Sequence, residues 1–84
     1  GLPVAVGEIQ PSGPVAPGTA LTLRGTGFTA GTKVQMNGDM AVSTLLDAHT
    51  LGVTVPALAA GPVQMILTNP DGQSFRWDAA FTVH

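Results

Sequence analysis

With 84 residues the chain is long enough for one domain and too short for two, since domains below about 40 residues usually need metal, disulfides or oligomerisation. It has no cysteine, which excludes a disulfide framework and a thiolate zinc site, and hydrophobic residues reach 44% against 10% charged, where an average domain carries roughly 25% charge. The net charge is −2 and the three cations, Arg24, Lys33 and Arg76, are scattered, so neither nucleic-acid binding nor attraction to an anionic membrane is expected.

No apolar run reaches the ~18 residues of a membrane span, so no membrane insertion is expected either. A start at Gly1 rather than Met reads as a single domain, residues 1–84 with a core of about 3–83, excised from a larger multidomain protein. The 11 glycines and 7 prolines suit short strands joined by tight turns, which makes the chain all-β.

From Gly1 to Gly18, Pro3, Pro11, Pro14 and Pro17 confine any strand to the stretch around Val4 to Ile9, an edge strand followed by a turn. Thr19 to Arg24 alternates, with Leu21 and Leu23 on one face, and stops at Gly25. Lys33 to Met36 alternates again and runs into Asn37-Gly38, a dipeptide suited to the positive φ angles of a tight hairpin. A short strand is expected at Met40 to Leu45, then a polar turn at Asp47 to Thr50, then a strand carrying Leu51, Val53 and Val55 and closed by Pro56.

Val63, Met65 and Leu67 alternate ahead of Asn69-Pro70-Asp71-Gly72, the strongest hairpin signal in the chain. A three-residue loop, Pro70 to Gly72, sets Asn69 opposite Gln73, and the register propagates backwards to pair Leu67 with Phe75 and Met65 with Trp77. Opposite residues share a face, so Trp77 belongs to the core while Ile66, opposite Arg76, points outward. After Asp78-Ala79-Ala80 breaks the alternation, Phe81 and Val83 form a last strand, giving about seven strands in two sheets.

In this order, Gly18-Thr19, GTGF at Gly25 to Phe28, Gly31-Thr32, Thr54-Val55-Pro56, Gly61-Pro62-Val63, TNPDG at Thr68 to Gly72 and AFTV at Ala80 to Val83 resemble the IPT/TIG domains of plexins, transcription factors and bacterial extracellular proteins. The resemblance spans almost the whole chain and departs from the family at Phe75-Arg76-Trp77, which is bulkier than the family's last hairpin. It implies an immunoglobulin-like, E-set type antiparallel β-sandwich. It further implies a spacer or protein-contact module of a bacterial secreted or cell-surface protein, monomeric in isolation, with neighbouring domains, another protein or a glycan as partners. The family also includes carbohydrate-binding or substrate-guiding domains of glycan-active enzymes and the homodimerisation modules of transcription factors. Within the sandwich, Gly25 and Gly27 are expected to let the backbone turn while Phe28 folds beneath it.

No chemistry-bearing motif survives inspection, so no catalytic residue, metal ligand set or cofactor is expected. Gly25-Thr26-Gly27 has its next glycine at Gly31, one place late for GxGxxG, and no helix follows. Gly72 to Arg76 matches part of a nucleophile elbow but leads into a strand, which makes Ser74 an ordinary outward residue. Asp47 and His49 could share a face, and a metal would need a third ligand such as Asp39. What remains is one sheet face, on which Ile66 and Arg76 lie with Lys33 and Gln35 as the candidate interaction residues.

Overall fold

The alternating segments pair into two stacked sheets. The computed structural model describes residues 2–84, and among these the strands are β1 Ala5–Gln10, β2 Ala20–Thr26, β3 Lys33–Met36, β4 Asp39–Ala41, β5 Ser43–Asp47, β6 Thr50–Thr54, β7 Gly61–Thr68 and β8 Ser74–Val83. One sheet has the order β1-β2-β6-β5 and the other β4-β3-β7-β8, neighbouring strands pairing antiparallel, and Val15 adds a parallel bridge to Val83. No described residue is helical, so there is no helix long and apolar enough to cross a membrane. The chain is an all-β, immunoglobulin-like sandwich.

A period of two sends alternate side chains between the sheets. Leu21 and Leu23 of β2, Leu51 and Val53 of β6, Val34 and Met36 of β3, and Val63, Met65 and Leu67 of β7 are all buried there. Each such side chain stabilises the fold by about 1.5–3 kcal/mol relative to exposure.

The last hairpin has the register its turn demands: Thr68 faces Ser74, Leu67 faces Phe75, Ile66 faces Arg76 and Met65 faces Trp77. The Asn69 N–H donates to the Gln73 carbonyl at 2.8 Å and the Gly72 N–H returns to the Asn69 carbonyl at 2.9 Å. Trp77 faces inward as expected but is only half-buried, because β8 is the last strand of its sheet and no further strand covers it. It packs against the core and meets Phe75 edge-on, with ring centroids 6.5 Å apart and planes at 79°.

Two expectations about strands need correcting. The stretch from Met40 to Leu45 is not one strand: the chain leaves β4 in one sheet, crosses at Val42 and enters β5 in the other. Conversely, Asp78-Ala79-Ala80 does not separate two strands but forms a bulge inside β8 in which three residues oppose Gln64, with Ala79 at φ 51°. Gln64 is compensated by Asn37: the Gln64 N–H donates to Asn37 Oδ1 at 2.8 Å and its carbonyl accepts the Asn37 N–H at 2.9 Å.

One end of the sandwich is held by polar groups. Thr32 and Asn69 are the buried polar side chains among the described residues. The Thr32 hydroxyl donates to Asn69 Oδ1 at 2.6 Å and accepts the Thr29 N–H at 2.9 Å, while Asn69 Nδ2 donates to the Gly27 carbonyl at 2.8 Å. This clasp joins the β2–β3 loop to the β7–β8 hairpin, and Phe28 is buried beside it. Gly27 has φ +73°, and a Cβ there would lie 2.6 Å from the Pro3 carbonyl oxygen. Gly25 acts otherwise than expected: a Cβ would collide with the Ala5 carbonyl of β1, so its role is close strand approach rather than turning.

The described residues span 36 × 20 × 18 Å, and Val4 and His84 lie at opposite ends of the β7–β8 hairpin. At the clasp end, the Thr26 hydroxyl donates to the Pro3 carbonyl and the Val4 N–H to Gln73 Oε1. At the other, Val83 pairs with Gly61 and the His84 N–H donates to the Val15 carbonyl at 3.0 Å.

Candidate interaction face

The four candidate residues lie together on the outer face of the β4-β3-β7-β8 sheet. Gln35 pairs with Ile66 and Ile66 with Arg76, so three of them form one cross-strand row. Lys33 lies in the next row, opposite Thr68, which faces Ser74. Neighbouring strands are about 4.8 Å apart, which places these side chains within reach of one another across the sheet.

The row has a fourth member that the sequence reading passed over. Gln35 pairs on its other side with Met40, whose side is 52% exposed. The signal was present: a two-residue Asn37-Gly38 turn sets Met36 opposite Asp39 and hence Gln35 opposite Met40. Both turn residues have positive φ, 51° and 86°.

Ile66 is half-buried rather than freely exposed, since Gln35 and Arg76 flank it. Arg76 is already engaged. Its Nε donates to Asp78 Oδ1 at 2.9 Å and its Nη2 to Oδ2 at 3.2 Å, and Gln64 Nε2 adds a bond to Oδ1 at 2.9 Å. The Arg76 hydrogen bonds, then that of Gln64, hold the Asp78 carboxyl below its ordinary range, and Asp78 raises the Arg76 guanidinium in turn. Such a pair in open water contributes little stability but orients its groups. Lys33 makes no ion pair among the described residues.

The other motifs take up structural duties. Asp47 Oδ1 accepts the His49 N–H at 2.8 Å, closing the turn between β5 and β6. That bond, followed by one from Thr50, holds its carboxyl below the ordinary range. His49 Nδ1 lies 3.1 Å from the Gly25 carbonyl, and Asp39 belongs to the opposite sheet. Among the described residues no three His, Cys, Asp or Glu side chains cluster closely enough to hold a metal ion. An open depression of about 400 Å³ lies over Gly31, Lys33, Thr68, Asn69, Pro70 and Gly72, but the Asn69 side chain is already committed to the clasp.

The family model for the IPT/TIG domain matches residues 3–83. The chain belongs to the IPT/TIG family. IPT/TIG domains are immunoglobulin-like modules, generally non-catalytic and often spacers or interaction domains. The motifs that carried the resemblance also sit together in space: Gly27 of GTGF, Thr32 after Gly31 and Asn69 of TNPDG are the three parts of the clasp. No curated protein sequence matches this IPT/TIG domain.

Proposed function

We propose that this IPT/TIG domain is a non-catalytic spacer in a larger secreted or cell-surface protein, with the row of Met40, Gln35, Ile66 and Arg76 as its secondary protein-contact surface. The observation that supports the spacer reading is the placement of Val4 and His84 at opposite ends of the β7–β8 hairpin. Both are tied down next to the strands, the Val4 N–H to the Gln73 side chain and the His84 N–H to the Val15 carbonyl, so a pull or a push on either is passed to the sandwich rather than absorbed by a loose tail. The contact row supports a weaker role, since Ile66 and Met40 are its large apolar groups and stable interfaces usually bury about 1,200 Å² or more. A glycan platform has less support: Trp77 packs inward, and its ring is met by Phe75.

The test is exchange of the domain within its parent. Replacement by an unrelated sandwich of equal end-to-end span should retain the parent's activity, while a Gly/Ser linker of equal residue number should not. Loss of activity with the unrelated sandwich would overturn the spacer reading.

A further inference from the structure

We propose that the parallel bridge between Val15 and Val83 is a shear lock, which holds the sandwich together when tension is applied through its two ends. This deepens the spacer reading, on which the use of the lock in a parent protein rests; the lock itself rests on strand direction and hydrogen bonds.

After β1 the chain leaves one sheet and reaches the other at Val15. There the Val15 N–H donates to the Thr82 carbonyl and the Val15 carbonyl accepts the His84 N–H, both at 3.0 Å. The side chains of Val15 and Val83 are buried, so the bridge is seated in the core. The Val4 N–H also ties the first segment to the last hairpin, but through the single long side chain of Gln73, which is exposed.

Strand direction decides what the bridge does. Val4 lies at Gln73 and Val15 at Val83, so the chain from β1 to Val15 runs the same way as β8. Tension through the ends therefore draws these two segments in opposite directions along their own axes. Bonds between segments drawn lengthwise are strained together, whereas bonds at a peeling end break one at a time.

The terminal strands have two ways out of the fold: β1 slides off β2, or β8 slides off β7. In the first case tension passes to Val15, which still holds Thr82 and His84. In the second, β8 has to release Val15 before it moves. The bridge lies on both routes and each ladder on one. The clasp of Thr32, Asn69 and the Gly27 carbonyl lies on neither, since all three stay behind when β1 or β8 first slides.

Single-molecule stretching of the whole domain tests the lock. The chain has no cysteine, so handles attach at cysteines added beyond its two ends. Val15→Pro removes the N–H that donates to Thr82 and should raise the unfolding rate at fixed tension by ~tenfold. Asn69→Leu, which strikes the clasp and spares the bridge, should raise it by less than ~threefold, because a contact still intact at the barrier does not change the unfolding rate. A second handle placement needs no change at Val15 and gives the answer if Val15→Pro does not fold. With one handle moved to the exposed Ser12, as Ser12→Cys, and the other left beyond His84, the same bonds peel in turn and should yield at lower force. Domain exchange in the parent reads activity and stretching reads force, so either reading fails without the other. A rate for Val15→Pro within ~threefold of the wild type, a larger effect from Asn69→Leu, or equal forces from the two handle placements would overturn the proposal.

Discussion

The clasp around Thr32 and Asn69 and the exposed rim from Val42 through β5 to Leu46 reverse the usual placement of polar and apolar groups. At the clasp, polar side chains are buried and each of their atoms has a partner. Along the rim, Val42, Leu45 and Leu46 are 75%, 36% and 61% exposed. A buried polar group left unpaired is costly, so the clasp tolerates one arrangement of the two loops and thereby specifies it. An exposed leucine adds almost nothing to folding, so the rim tolerates substitution.

The comparison is broken most directly at Asn69. Asn69→Leu leaves the Gly27 carbonyl without its donor and the Thr32 hydroxyl without its acceptor, for an expected cost of about 2–4 kcal/mol. Circular dichroism should show melting lowered on the order of 10–25 °C for a chain of this size. A loss of under a few degrees would mean that the clasp is ornamental.

Thr32→Val removes the link from the other side while keeping its shape, with an expected cost of about 1–3 kcal/mol because the Thr29 N–H and Asn69 Oδ1 lose their partner. The double variant with Asn69→Leu should cost less than the sum of the two, as measured by denaturant unfolding. Strict additivity would show that the two residues act independently.

Acid separates the regions in a third way. The clasp holds no titratable group, so its contribution is the same at every pH, whereas Asp47 closes the turn beside the rim as a carboxylate. Its folded pKa is lowered, so its contribution is present above the ordinary carboxylate range and is lost as pH falls through the folded value. Melting curves of Asp47→Asn should therefore fall less steeply below about pH 4 than those of the wild type. Parallel curves would remove the turn from the stability of the domain.

The smallest effect is expected at the rim itself. Leu46→Lys should change stability by no more than about 0.5 kcal/mol, read from chemical denaturation, because the side chain is already 61% in solvent. A larger loss would show that the rim packs against the fold.

How much of this could be read without coordinates depended on the range of the signal. The Asn69–Gly72 turn constrains a register locally, so the Ile66–Arg76 and Met65–Trp77 pairs were legible from the turn alone. The grouping of Lys33, Gln35, Ile66 and Arg76 followed from that register plus the resemblance, and Met40 could have joined them through the Asn37-Gly38 turn. The passage of the chain between sheets at Val42 left no such mark, since the alternation of Met40 to Leu45 is compatible with one strand or two.

Sequence by itself determined the class, the inward and outward faces of most strands, and membership of a family whose motifs are short and local, because alternation and turn chemistry act between near neighbours. Tertiary structure decided everything that depends on what lies across a gap: Trp77 half-buried at an edge, Gly25 pressed against Ala5, Thr32 reaching Asn69, and β5 left open. Burial and edge exposure are properties of the assembled sheets, fixed by which strand stands last in each order, and no single segment carries that information.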